Sequence, residues 1–166
     1  EVEKLNRILK ERDIQSAITE IYSPSRVNGV AGKLGMIPGM SLDLTTTDEN
    51  GDPWDFNVKR MRDKAEKIVR SRGALLLIGS PMCTAFSQLQ NINFSKMNQE
   101  DVKTVIEYGT RHLEFCMKLY KIQVQQGRYF LHEHPAAATS WKNEKVKELL
   151  NMKGVEKVTG HMCAFG

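Results

Sequence analysis

The chain has 166 residues, 40% of them hydrophobic and 27% charged, with 24 basic and 20 acidic side chains and a net charge of +4. That length holds one domain with a proper core rather than two, and the composition is that of an ordinary globular protein. No stretch approaches the roughly 18 consecutive apolar residues of a membrane span, so a membrane partner is not expected; the charge is compatible with a nucleic acid without requiring one.

Val2, Leu5, Ile8 and Leu9 recur at helical spacing, which predicts an N-terminal amphipathic helix over residues 1–17 as a unit ahead of the main domain, 18–166. Ile18 to Tyr22 alternates apolar and polar residues like a short strand, ended by Ser23-Pro24-Ser25. Val27, Val30, Ala31 and Leu34 then mark a helix that runs to Gly35, and MIPGMSLDL reads as a second strand ending on Asp43. A turn-rich loop, Thr45 to Pro53, precedes a helix that starts near Asp55 or Asn57 and stops at Gly73. Val58, Met61, Ala65, Ile68 and Val69 form its apolar face, and its basic residues, from Lys59 to Arg72, read as a solvated face.

Ala74 to Ile78 is a continuous apolar run, as expected of a strand buried on both sides of a parallel sheet. After a polar loop from Asn91 to Lys96, Asn98 and Asp101 cap a long helix that ends at Gly127. Val102, Val105, Ile106, Leu113, Leu119 and Ile122 supply its core face. Arg128 to Glu133 is the next strand, a helix from Asn143 carries Val146, Leu149 and Leu150, and Val155 to Thr159 is read as a last strand. The alternation predicts an α/β fold, a Rossmann-like, doubly wound, mostly parallel sheet.

In such a sheet the ligand lies beyond the carboxyl ends of the strands, where strand order reverses. Tyr22-Ser23-Pro24, Asp43, Gly79-Ser80-Pro81-Met82-Cys83 and His132-Glu133-His134 all fall at those ends. Asp43 stands where nucleotide-binding sheets carry the acid that accepts the ribose hydroxyls. No glycine-rich turn follows the first strand, which disfavours a pyrophosphate cofactor and leaves one without phosphates, such as S-adenosylmethionine. Backbone N–H groups and a following helix would favour a thiolate at Cys83. A carboxylate half-buried at a strand end, Glu133, is suited to proton donation.

Three cysteines, Cys83, Cys116 and Cys163, are odd in number and far apart, and Glu1-Val2-Glu3-Lys4 is unlike a signal peptide. A reduced intracellular protein is expected, in the cytoplasm or nucleus of a host. His132, His134, His161 and Cys163 offer metal-binding donors without a recognised zinc spacing, so no metal is assigned.

With Cys83 and Glu133 placed, the pattern resembles the catalytic half of the C5-cytosine DNA methyltransferases over roughly residues 18–135. Cys83-Thr84-Ala85-Phe86-Ser87 matches the family's Cys-x-x-Phe-Ser after a strand, and Glu133-His134-Pro135 stands in the place of its Glu-Asn-Val. Met82 replaces the proline before the cysteine, Thr84 the glutamine after it, and Tyr22-Ser23-Pro24 the Phe-x-Gly turn. The set is closest to divergent modules of mobile-element and viral polyproteins, and the domain is expected to be truncated at its C-terminus.

The resemblance implies the methyltransferase type of fold and base flipping, with S-adenosyl-L-methionine as cofactor and nucleic acid, DNA rather than RNA, as partner. It makes Cys83 the nucleophile and Glu133 the acid that holds the base. Tyr22, Ser23, Pro24, Asp43, Asp55 and Ser80 become the cofactor-binding set. An amino-methyltransferase, or a related fold that binds nucleic acid or protein without catalysis, are the alternatives.

Overall fold

Ile18–Ile21, Pro38–Leu42, Leu76–Gly79 and Tyr129–His132 are the strands β1 to β4 of one sheet, ordered β2-β1-β3-β4 and parallel throughout in the computed structural model. The structure describes residues 1–161 and Ala164. The helices are α1 (Val2–Glu11), α2 (Val27–Lys33), α3 (Lys59–Arg72), α4 (Gln90–Phe94), α5 (Gln99–Gln125) and α6 (Glu144–Leu150). Single 3-10 turns follow β3 at Thr84–Phe86 and β4 at Thr139–Lys142. Among the described residues no helix is long and apolar enough to cross a membrane.

The chain steps outward from β1 to β2, returns past β1, and continues outward through β3 and β4. The result is an α/β fold with a doubly wound sheet, compatible with a Rossmann-like fold. One sheet face carries Ile21, Leu42 and Leu77, packed with Met61, Ala65 and Val69 of α3, Leu113, Cys116, Leu119 and Tyr120 of α5, and Val146 and Leu149 of α6. The opposite face is covered by Leu9 of α1 and Ala31 of α2 against Ala17 and Ile18. Among the close approaches that demand glycine, two involve α5. A Cβ on Gly79 would collide with the Tyr120 hydroxyl, and one on Gly109 would come 2.6 Å from the Ala85 Cβ. The second contact seats the turn that follows Cys83 directly against α5.

Several expectations are corrected. α1 ends at Glu11 rather than Ala17, because Asp13 takes a left-handed backbone (φ 53°) and Ser16 and Ala17 already bond to the sheet. α2 does not bury its predicted face: Val27, Val30 (54% exposed) and Leu34 (59%) point outward, while Asn28 and Ala31 face inward. Residues 91–94 of the predicted polar loop belong to α4, Gln90–Phe94. Burial along α5 begins at Gly109, so Ile106 stays exposed.

Val155 to Thr159 is not a strand. Its two valines are three residues apart, which in an extended chain puts them on opposite faces, so no apolar stripe forms. Val158 is 84% exposed, and Lys157 places its ammonium 4.0 Å from the centre of the Trp141 ring.

Candidate functional site

The register aligns the strand ends. Ile21 pairs with both Leu42 and Gly79, and Gly79 with His132, so the next residue of each strand lies in one row. That row is Asp43, Tyr22, Ser80 and Glu133. Backbone bonds extend the ladder through it: Tyr22 N–H to Leu42 O (3.0 Å), Ser80 N–H to Ile21 O (3.3 Å) and Glu133 N–H to Gly79 O (3.2 Å). Four of the sequence-predicted residues therefore share one edge of the sheet, with the reversal of strand order between β1 and β3.

Tyr22 departs from strand geometry. Its φ of 59° is left-handed, a conformation costing roughly 1–2 kcal/mol for a residue with a Cβ. Because the backbone turns there, the consecutive residues Ile21 and Tyr22 both pack on the α3–α5 side. The Tyr22 ring lies 4.9 Å from Phe56 and 5.5 Å from His112. Its hydroxyl meets His112 Nδ1 at 2.7 Å, and His112 Nε2 meets Asn57 Oδ1 at 3.1 Å. Asn57 Nδ2 donates to Asp55 Oδ1 (2.9 Å), so Tyr22 and Asp55 belong to one hydrogen-bonded cluster.

Asn57 presents its oxygen to His112, so His112 carries its proton on Nε2 and accepts from Tyr22 on Nδ1. Burial, then the Arg111 and Arg62 charges, lower the His112 pKa, while burial pushes the Tyr22 phenol far up. Both are neutral, as this bond requires.

Cys83 is half-buried and opens the turn Thr84–Phe86, its carbonyl accepting from Phe86 N–H at 2.9 Å. The helix expected after it is only this three-residue turn, too short for a substantial macrodipole. The loop is instead fixed from β4. His134 is buried; its Nε2 bonds Pro81 O at 3.1 Å and its Nδ1 meets Ser140 Oγ at 2.6 Å. Since a carbonyl only accepts, Nε2 carries the proton and Nδ1 accepts from the serine. His134 thus ties the Cys83 loop to the residue after Glu133. Glu133 itself is exposed rather than half-buried, with no ion pair to Arg128 or Lys142. Its peptide is held in the ladder while its carboxylate reaches solvent.

Comparison with protein-family models, curated proteins and solved structures finds no match.

Glu20 went unnoticed in the sequence, where it reads as the polar partner in a half-exposed strand. It is 1% exposed, and its carboxylate accepts from the backbone N–H groups of Arg26, Val27 and Asn28 (3.4, 3.1 and 2.9 Å) and from the hydroxyls of Ser23 and Ser41 (3.2 and 3.4 Å). The N-terminal amides of α2, where a dinucleotide fold would receive a pyrophosphate, are filled by the protein's own anion. A phosphate-free ligand suits this turn. Asp43 Oδ1 accepts from Thr45 N–H (3.0 Å) and Thr45 Oγ1 (2.7 Å). Its Oδ2 has no hydrogen bond among the described residues and is free to accept one.

Two of the cavities among the described residues bear on where a ligand could sit. One of about 600 Å³ lies among α3, α5 and α6, lined by Arg62, Arg111, Lys118 and Lys121 with Glu66, Glu114 and Glu148. The other, about 620 Å³, follows β4 beside Trp141 and residues 153–158. Neither is lined by Cys83, Glu133, Tyr22 or Asp43. Cys116 is fully buried, and burial pushes its thiol well up, so it is an inert core residue.

Beside His134, the His132 ring lies 5.0 Å away between centroids, and His132 Nδ1 meets the Tyr120 hydroxyl at 3.3 Å. Among the described residues no cluster of three or more potential metal ligands forms, and Cys163 lies outside them. Burial, then the neighbouring His134, lower the His132 pKa to about 3. An unfolded histidine titrates near ~6.5, so between those values the unfolded chain binds the extra proton. Stability contributed by neutral His132 is complete above about pH 6.5 and is lost as pH falls towards 3, at up to about 1.4 kcal/mol per pH unit. Urea denaturation at pH 7 and pH 4.5 should show this loss, and His132→Gln should reduce it. An unchanged pH dependence in the variant would contradict the assignment.

Proposed function

We propose that this chain is an S-adenosylmethionine-dependent methyltransferase domain of the C5-cytosine type, acting on a base in nucleic acid, DNA rather than RNA. The observation that carries the reading is the joining of the Cys83 loop to the end of β4 by His134, on adjacent parallel strands whose ends are level. The methyltransferase resemblance requires a nucleophile after one strand and a base-holding acid after its neighbour.

Tyr22, Ser23, Pro24, Asp43, Asp55 and Ser80 form the cofactor side. Asp43 Oδ2 is the free acceptor for the ribose, and Glu20 closes the turn to phosphates. S-adenosylmethionine supplies an electrophilic methyl group when bound.

On the base side, the Cys83 thiolate adds to C6 of a flipped-out cytosine, forming an S–C6 bond. Glu133, in its protonated form, donates to N3 and accepts from the N4 amino group, which directs the displaced electron pair to C5. C5 then takes the methyl group as its bond to the cofactor sulfur breaks, leaving S-adenosylhomocysteine. Water as base removes the C5 proton, the S–C6 bond breaks to release the Cys83 thiolate, and N3 returns its proton to Glu133, which restores the ring. Extrusion of the base from a duplex costs a few kcal/mol.

The test is trapping with a 5-fluorocytosine oligonucleotide, together with calorimetry against S-adenosylmethionine. A covalent adduct is expected, absent in Cys83→Ser. Cofactor binding without an adduct, but with methyl transfer to an exocyclic amine, would identify an amino-methyltransferase. Oligonucleotide binding with no cofactor binding would leave a non-catalytic binding domain.

A further inference from the structure

Tyr22 and Asp13 are the non-glycine residues with left-handed backbones among those described, and Tyr22 alone lies at the strand ends. A strained residue of this kind persists only when its surroundings over-determine it. Here the backbone is gripped on one side through Glu20, which takes the Ser23 hydroxyl and the amides of Arg26, Val27 and Asn28. On the other side the only hydrogen bond of the Tyr22 side chain among the described residues is the one its hydroxyl donates to His112, one of the few polar groups buried within α5.

His112 is itself aimed. Asn57 fixes its tautomer from the segment before α3, and Asn57 is held in turn by Asp55 Oδ1 and, at 3.3 Å, by the Tyr108 hydroxyl. The Tyr108 ring packs edge-on 4.6 Å from His112. A buried histidine with both nitrogens satisfied and its ring wedged at two edges is a rigid anchor, and the group it anchors is the strained residue.

We propose that His112 is a positioning residue. Through its hydrogen bond with Tyr22 it holds the turn after β1 in the left-handed conformation on which S-adenosylmethionine binding depends. The ligand's identity rests on the function proposed above; the latch itself does not. Without the bond, Tyr22 relaxes towards extended backbone, its ring leaves Phe56, and the segment from Ser23 to Val27 moves with it.

Two substitutions separate the hydrogen bond from packing. His112→Phe keeps the ring volume and removes both polar contacts. His112→Asn loses volume but retains an acceptor near the Nδ1 position, within reach of the Tyr22 hydroxyl. If packing alone matters, Asn is the worse variant; if the bond matters, Phe is. Calorimetry on the full chain should give S-adenosylmethionine affinity about tenfold weaker in His112→Phe and within about threefold of wild type in His112→Asn.

Amide hydrogen exchange of residues 23–28, measured without ligand, should accelerate in His112→Phe and not in His112→Asn. Wild-type binding with equal affinity in both variants, or greater loss in His112→Asn, overturns the latch and leaves the functional reading standing. Absence of S-adenosylmethionine binding in the wild type overturns the functional reading, and exchange then decides the latch: selective acceleration in His112→Phe supports it, equal exchange in all three proteins overturns it.

Discussion

Glu20→Ala is expected to lower folding stability by about 3–5 kcal/mol, among the largest effects of any single substitution in the chain. The helix it supports, α2, has seven residues, and Gly29 and Gly32 are two of them. Each glycine costs roughly 1 kcal/mol against alanine in a helix, and so short a helix is not stable alone. Arg26 at its N-cap makes no side-chain capping bond. Its outward residues are apolar, so burial does little for it. What remains is polar. Glu20 caps the helix from the neighbouring strand, and Asn28 joins it to β2 through Met40 O (2.9 Å), Ser41 Oγ (3.1 Å) and Gly39 N–H (3.2 Å).

Alanine at position 20 leaves those donors facing a void. Glutamine keeps one acceptor oxygen but turns an NH₂ towards the same donors, so Glu20→Gln should fall between wild type and alanine. In urea, with a slope of about 1–3 kcal/mol per molar, the alanine midpoint should drop on the order of 2 M. A midpoint within about 0.3 M of wild type would show that water replaces the carboxylate at little cost, and the capping role would fail.

Glu20 also shows what the sequence conceals. ITEI looks half-exposed because threonine and glutamate sit between two isoleucines, yet all four residues of β1 are buried. A central strand of a doubly wound sheet is covered on both faces, and a polar residue is tolerated there only when another element satisfies it. The donors for Glu20 come from three to eight residues ahead and from β2, which periodicity does not reveal. α2 misleads for the related reason that its valines and leucine keep a helical period but face solvent.

Where one rule dominates, the reading holds. Asn98 caps α5 by accepting from Asp101 N–H at 2.8 Å, and the apolar run before Gly79 is β3. The row of strand ends was legible because turn residues punctuate each strand. The histidines were not. His112 lies in the middle of a long helix, and His134 resembles a loop histidine until the turn at Thr139–Lys142 brings Ser140 against it.

His134 is the residue whose loss should most damage the proposed chemistry without touching substrate. Its Nε2–H is the hydrogen bond from the end of β4 to the loop that carries Cys83, and its ring packs 6.0 Å from Phe86, five residues beyond Pro81 in the same loop. His134→Leu removes both bonds, leaving Pro81 O and the Ser140 hydroxyl buried without their partner, and frees the loop to shift relative to Glu133. A nucleophile misplaced by about 1 Å can cost roughly 10²-fold in rate. Adduct formation with a 5-fluorocytosine oligonucleotide should slow by about that factor in His134→Leu. S-adenosylmethionine affinity should change less than about twofold, since the β1 turn and Asp43 are untouched.

His134→Gln, whose amide nitrogen can donate to Pro81 O, should recover most of the rate, which a purely volumetric role would not allow. Equal adduct rates in wild type and His134→Leu would mean that the Cys83 loop holds its place without β4. The alignment of Cys83 with Glu133 would then rest on the strand register and on the seat that Gly109 gives Ala85.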